Sequence, residues 1–251
     1  MQAFITLYTK EARRFLRIWS QTLLPPVINQ TLYLTIFGSI IGSKIGEIQG
    51  VSYIQFILPG LLMMSVVMGT YSNVVSSFFG SKFQRSIDEL LVAPVSNLTI
   101  LQGYCLGAMT RGLIAGALVL LTSLLFSDFK LHSLSLVLIY TFLSSYVFAQ
   151  AGFLNGLFAK KFDDVSIFPT FILNPLIFFG GVFYDINTLP SHLKIISQLN
   201  PITYMIEGYR YSFLGIQGQQ TIKTILVLAV FALLLTLVNM HYLNSGKGLK
   251  S

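Results

Sequence analysis

Charge is what this sequence has least of. Acidic and basic residues together make up 10% of the 251 positions, against about 25% in soluble globular domains. Cysteine is nearly missing as well: Cys105 stands alone within an apolar run, which excludes an intrachain disulfide framework. The three histidines, His132, His192 and His241, share no metal-ligand spacing, and neither H-E-x-x-H nor C-x-x-C occurs. The phosphate loop G-x-x-x-x-G-K-S/T is absent; the nearest fragment, "SGKG" at 245–248, lacks both the loop length and the hydroxyl partner. No Ser–His–Asp set is suggested beyond the presence of those residue types. The sequence thus shows no catalytic, cofactor or metal site, so any uphill transport must draw energy from a partner or an ion gradient.

What is present is apolar. Hydrophobic residues form 54% of the chain, and windows nearly free of charge fall at 22–42, 53–79, 97–126, 131–158, 166–184 and 221–243. A helix needs about 20 apolar residues to cross a bilayer core, so these windows read as six spans. A soluble helical protein would interleave polar faces, and these do not. The expected fold is an all-α membrane protein forming one domain over 1–251, with no linker, low-complexity tract or internal repeat. The basic cluster before the first apolar run looks superficially like a signal peptide. The run from Thr22 to Ile41 is long and five more follow, so it reads as a retained span.

The net charge of +7 invites a nucleic-acid partner, and the placement of the basic residues argues against one. With the N-terminus taken as cytoplasmic, the inner segments hold Lys10, Arg13, Arg14, Arg17, Lys82, Arg85, Lys160, Lys161, Lys247 and Lys250. The outer ones hold Lys44, Lys130, Lys194, Arg210 and Lys223, and Arg111 lies inside a span. Ten against five follows the positive-inside bias and puts both termini in the cytoplasm.

Residues 2–19 form a basic amphipathic helix expected in the headgroup layer. Lys10, Arg13, Arg14 and Arg17 recur at i, i+3, i+4, i+7, while Phe4, Leu7, Tyr8, Phe15, Ile18 and Trp19 form the other face, with Trp19 at the interface. The helix either anchors the first span or also carries a cytoplasmic protein partner. Pro25 and Pro26 suit a first helical turn. In the second span "ILPGLLMM" suggests a kink or wide turn at Pro59–Gly60. In the third, Gly103, Gly107, Gly112 and Gly116 permit close helix approach. Arg111, mid-span, is costly there and is a candidate for the transport path, with structural pairing as the alternative.

The fifth span is interrupted by Pro169, Asn174–Pro175 and Gly180–Gly181. Phe178, Phe179, Phe183 and Tyr184 near its exit would form either an aromatic lining for cargo or an ordinary interface belt. Two short helices follow within 188–214. Leu189, Leu193 and Ile196 share a face of the first. Asn200 and Pro201 start the second as N-cap and first helical residue, and Ile202, Met205, Ile206, Tyr209 and Phe213 line its apolar face. The pair reads as a re-entrant hairpin on the outer side. Glu207 is placed to pair with Arg210 at i+3, or to contact cargo.

Between the second and third spans, "FQRSIDELLVAPVS" sets Phe83, Ile87, Leu90 and Leu91 at helical spacing opposite Gln84, Arg85, Asp88 and Glu89, and Pro94 ends the helix. Mixed charge signs suit a protein surface better than anionic lipid. At this point the sequence resembles the permease subunit of ATP-binding-cassette type-2 exporters. The resemblance runs through nearly the whole chain, and its specific parts are "RSIDELLVAPVS" after the second span and "GGVFYDINTLP…LNPITYMIEGYR" after the fifth.

That resemblance implies an inner-membrane, multi-pass permease that exports a cargo not named by the sequence. It would work as a homodimer with two copies of a soluble ATPase, which would hold the ATP and Mg. It also implies that Phe83, Gln84, Arg85, Ser86, Ile87, Asp88, Glu89 and Leu90 form a coupling helix seated on the ATPase, with Lys161, Phe162, Asp163 and Asp164 as a lesser contact. Arg85, Asp88 and Glu89 would dock on the ATPase, while Phe83, Ile87 and Leu90 would hold the helix against the spans. Two other readings stay open, an ion-coupled secondary transporter and a non-transporting membrane scaffold. The first should show an intramembrane ion relay, for which only Arg111 qualifies.

Overall fold

The computed structural model describes residues 2–128, 131–216 and 221–249; Lys130 and Lys250, counted above in the charge balance, lie outside the described residues. Among the described residues, six helices are long and apolar enough to cross a membrane: Trp19–Ile45, Tyr53–Phe83, Asn97–Ser123, Leu134–Phe158, Phe162–Phe179 and Thr221–Ser245. The second is the hub, packed against the third and fourth, and 78% of its most apolar stretch is buried. The same measure is 11% for the first and fifth, which leaves those two with wide apolar faces.

Glycine lets the inner helices approach closely. A Cβ on Gly103 would lie 2.6 Å from Leu7 Cδ2, and one on Gly107 would collide with Glu11 Cβ. These two glycines therefore receive the N-terminal helix, Gln2–Arg17. Gly112 and Gly116 face Thr70 and Val66 of the second span instead. The glycine series is thus split between two partners.

Prolines are absorbed in ways the sequence does not announce. The second span runs helically from Tyr53 to Phe83 with Pro59 inside it, so the expected wide turn is not there. Gly60 serves packing, since a Cβ on it would meet Val182 at 3.1 Å. The first and fifth spans instead widen into π-helical segments, Leu34–Ile41 and Pro169–Leu173. In the fifth, the wide turn precedes Asn174–Pro175, so the helix continues to Phe179. It stops before the expected end at 184, because Gly181 takes φ +83° and turns the chain.

Two further departures concern ends and loops. The N-terminal helix ends at Arg17, and Trp19 opens the first span rather than closing that helix. The loop between the first and second spans holds a small antiparallel ribbon, Glu47–Ile48 with Val51–Ser52, turned by Gln49 and Gly50 at positive φ. Such a tight hairpin turn needs two residues in the left-handed region. Gln49 Nε2 donates to Asp185 Oδ2 at 2.5 Å, and Tyr53 Oη donates to Phe183 O at 2.9 Å. These bonds tie the ribbon to the turn after the fifth span.

The pair of short helices between the fifth and sixth spans is Ser191–Leu199 and Pro201–Leu214. Asn200 accepts from Ile202 N at 3.0 Å, and its amide donates to Leu176 O at 2.6 Å, so one side chain caps the second helix and fixes it to the fifth span. Ile202, Met205, Ile206, Tyr209 and Phe213 are all buried.

Candidate functional site

A cavity of about 380 Å³ opens among the first, second, third and fifth spans. Its polar wall includes Asn29, Gln30, Ser72, Arg111 and Asn174, and its apolar wall includes Tyr33, Met64, Met68 and Phe178. Arg111 reaches it from the middle of the third span, and its Nη2 donates to Thr22 O at 3.1 Å. Among the described residues, buried Nε of Arg111 finds no acceptor and buried Oε1 of Gln30 finds no donor.

Of the described residues expected in the path or its aromatic lining, Arg111 and Phe178 line this cavity. Phe183 packs outside it in an aromatic cluster, 5.7 Å from Tyr33, 4.8 Å from Phe37 and 5.9 Å from Phe178 between ring centroids. Phe179 is 40% exposed beside it, and Tyr184 is half-buried in the following turn. Glu207 is half-buried on the second short helix. Arg210 also has partners other than Glu207. Its guanidinium lies 3.8 Å from the centre of the Phe56 ring and donates to Gly181 O at 2.7 Å and Phe56 O at 3.3 Å. Glu207 and Asp185 act on it as surrounding charges.

The second assembly lies where the second span ends and the fifth begins. Arg85 adopts φ +59° and swings the chain from the second span into the short helix Ser86–Val92. A non-glycine residue in that region costs of order 1–3 kcal/mol and is held by its surroundings. Ile87 is buried at 1% exposure and Leu90 is half-buried, while Gln84, Arg85, Asp88 and Glu89 are exposed and Ser86 donates to Ser81 O at 3.2 Å. Phe83 departs from its expected seat against the spans: it is 60% exposed. It packs edge to face on Phe162, in the loop region after the fourth span, at 4.8 Å, and Phe79 meets both rings, at 6.0 and 5.0 Å. In that loop Lys161 and Asp163 are exposed, and Asp164 accepts from the backbone N–H groups of Lys160 and Lys161 at 2.8 and 3.0 Å. Asp164 therefore organises the loop.

Two buried charges escaped the sequence reading. Lys82 Nζ donates to Leu157 O and Ala159 O, both at 2.6 Å, and to Gly248 O at 3.2 Å. It draws the second span, the fourth span and the C-terminal segment together, and nothing local in the sequence marks those acceptors. Glu11 is 1% exposed and accepts from Ser77 Oγ at 2.5 Å and from Arg14 Nε at 3.4 Å. Arg14 also donates to Asn73 Oδ1 at 2.8 Å, so it turns from the expected basic face towards the second span. Lys10, Arg13, Arg17 and Trp19 remain exposed. A signal for Glu11 did exist: it lies between Leu7 and Phe15 at i+4 spacing, on the apolar face.

Comparison with known proteins agrees with this arrangement. The family model described as ABC-2 type transporter matches residues 2–214. The chain is 51% identical to the inner membrane transport permease YadH of Escherichia coli K12 over 249 residues, covering 99% of this chain and 97% of that one. It is 23% identical to nodulation protein J of Rhizobium meliloti over 208 residues, 81% of this chain and 79% of the relative. Members of this family are membrane transport components that work with an ATP-binding subunit, and the chain is a multi-pass inner-membrane permease of that kind. It belongs to the ABC-2 type transporter family.

Proposed function

We propose that the chain is the membrane half of an ATP-driven exporter, working as a homodimer with two copies of a soluble ATPase that binds ATP and Mg. The observation that carries this is the joined inner surface. Phe79, Phe83 and Phe162 connect two loops distant in sequence, and Asp88 and Glu89 stand exposed beside them. A push on Ser86–Val92 reaches the second span through Arg85 and the fifth through Phe162, and both of those spans line the cavity.

In this reading both termini are cytoplasmic, the whole chain forms one transport domain, and the helices Ser191–Leu199 and Pro201–Leu214 dip into the outer leaflet. The poorly buried first and fifth spans offer surface for the second copy. Homology to a transport permease and the presence of a cavity bounded by four spans support transport over a scaffold role. Among the described residues lining the cavity, Arg111 is the one charged side chain and no carboxylate or histidine joins it, which favours an external energy source over an ion relay.

The test is affinity purification of the tagged chain in mild detergent, with mass spectrometry of what co-purifies and an ATPase assay on the complex. A stoichiometric ATPase that is lost from an Asp88→Ala, Glu89→Ala double variant is expected. A chain that stays without an ATPase across several detergents overturns the reading.

A further inference from the structure

We propose that the cavity at Arg111 recognises an anionic group, phosphate or carboxylate, carried by an amphipathic cargo; this rests on the permease reading above. A guanidinium inside a membrane is stable only when it is paired or well hydrogen-bonded. Arg111 has five N–H donors to place. One nitrogen, Nη2, reaches Thr22 O, and Nε finds no acceptor among the described residues.

No carboxylate lines the cavity. The buried carboxylate Glu11 takes Ser77 and Arg14 on Oε2 and leaves Oε1 without a donor, and among the described residues no ion pair joins it to Arg111. Among the described residues, Arg111 therefore makes no ion pair. Its planar fork matches the two oxygens of a carboxylate or phosphate better than a point charge would.

The rest of the wall fits the same ligand. Gln30 is 3% exposed, and Asn174 faces the cavity from the fifth span, so amide groups stand near the cation. Met68 and Phe178 supply apolar surface for the remainder of the molecule. A volume of about 380 Å³ lies within the roughly 300–1,000 Å³ of small-molecule pockets. It holds an anionic head and the first part of an apolar body.

The experiment measures binding of radiolabelled dodecyl phosphate to the full chain, with its co-purified ATPase, in phosphatidylcholine nanodiscs. Empty nanodiscs give the partitioning background. Saturable binding is expected, displaced by dodecanoate but not by dodecyltrimethylammonium. Losing one charge-assisted contact set should weaken it about tenfold or more in Arg111→Gln. Met68→Trp, which fills the cavity and leaves Arg111 in place, should reduce binding as well and guards against misfolding of the arginine variant.

Unchanged binding in both variants overturns the inference, as does displacement by the cationic amphiphile. Inorganic phosphate competing as well as dodecyl phosphate overturns the amphiphile part. A chain that holds its ATPase but shows no saturable binding sinks this inference and leaves the exporter reading standing. A chain that binds dodecyl phosphate through Arg111 but holds no ATPase does the reverse.

Discussion

Phe83 and Phe162 meet edge to face with ring centroids 4.8 Å apart, although 79 positions separate them in the chain. Both rings are about 60% exposed, so their contact is a bridge between two loops at the protein surface. An aromatic pair adds about 0.5–1.5 kcal/mol beyond area burial. In the proposed exporter this bridge lets one ATPase surface move two spans together.

The prediction is non-additive loss of coupling. Phe83→Ala and Phe162→Ala should each lower ATP-driven transport while basal ATP hydrolysis persists, and the double variant should be little worse than either alone. Residues that act as a unit behave in this way in double-mutant cycles. Transport and ATP hydrolysis measured on the same proteoliposomes decide it. Strictly additive losses would mean that the two rings act separately.

Lys82 gives a second prediction, on stability. Its ammonium satisfies three backbone carbonyls from two other segments. Lys82→Met keeps most of the stem and removes every donor, which leaves those carbonyls short of a partner. Hydrogen bonds to a charged group contribute about 1.5–3 kcal/mol. The thermal midpoint of the detergent-solubilised protein should fall by several degrees. Lys82→Arg should fall less, because it keeps the donors. Equal midpoints for wild type and Lys82→Met would show that the clamp is energetically idle.

Arg210 gives a third. Its guanidinium stacks on Phe56 while donating to Gly181 O and Phe56 O. A lysine ammonium can replace the charge but not the planar stack and fork. Arg210→Lys should therefore loosen the helix Pro201–Leu214 from the second span, read as faster hydrogen exchange over that helix. Exchange unchanged from wild type would place the hold elsewhere, in the buried face from Ile202 to Phe213.

The spans were legible because a bilayer demands long charge-free windows, and such windows are a property of local sequence. Asn200 was legible for the same reason: a cap and the proline after it are neighbours in the chain. The end of the fifth span was harder to read. Hydropathy continues through Phe183, while the turn is set by the backbone of Gly181 at φ +83°. Lys82 and Arg210 use backbone carbonyls from distant segments, which leave no mark in sequence. Arg111 stood out as a charge within a span, but the amides that join it, Asn29, Gln30 and Asn174, come from two other helices. Glu11 was readable from its i+4 neighbours and was passed over because basic residues dominate that helix.

The N-terminal helix supplies the last prediction. It lies against the third span because Gly103 and Gly107 leave room for Leu7 and Glu11. A methyl group on Gly107 would occupy the place of Glu11 Cβ, and helix backbones in contact cannot give way cheaply. Gly107→Ala should lift the helix, release Glu11 from Ser77 and expose the segment to protease in detergent. Gly80 is the control, since a Cβ there meets nothing within 4 Å. Alanine in a helix is favoured over glycine by about 1 kcal/mol, so Gly80→Ala should be neutral or stabilising. Limited proteolysis of the two variants side by side separates the cases. Cleavage within Gln2–Arg17 that rises in Gly107→Ala and not in Gly80→Ala ties the helix to that glycine face. Equal resistance in both would mean that the Arg14–Asn73 bonds hold the helix without help from the glycine face.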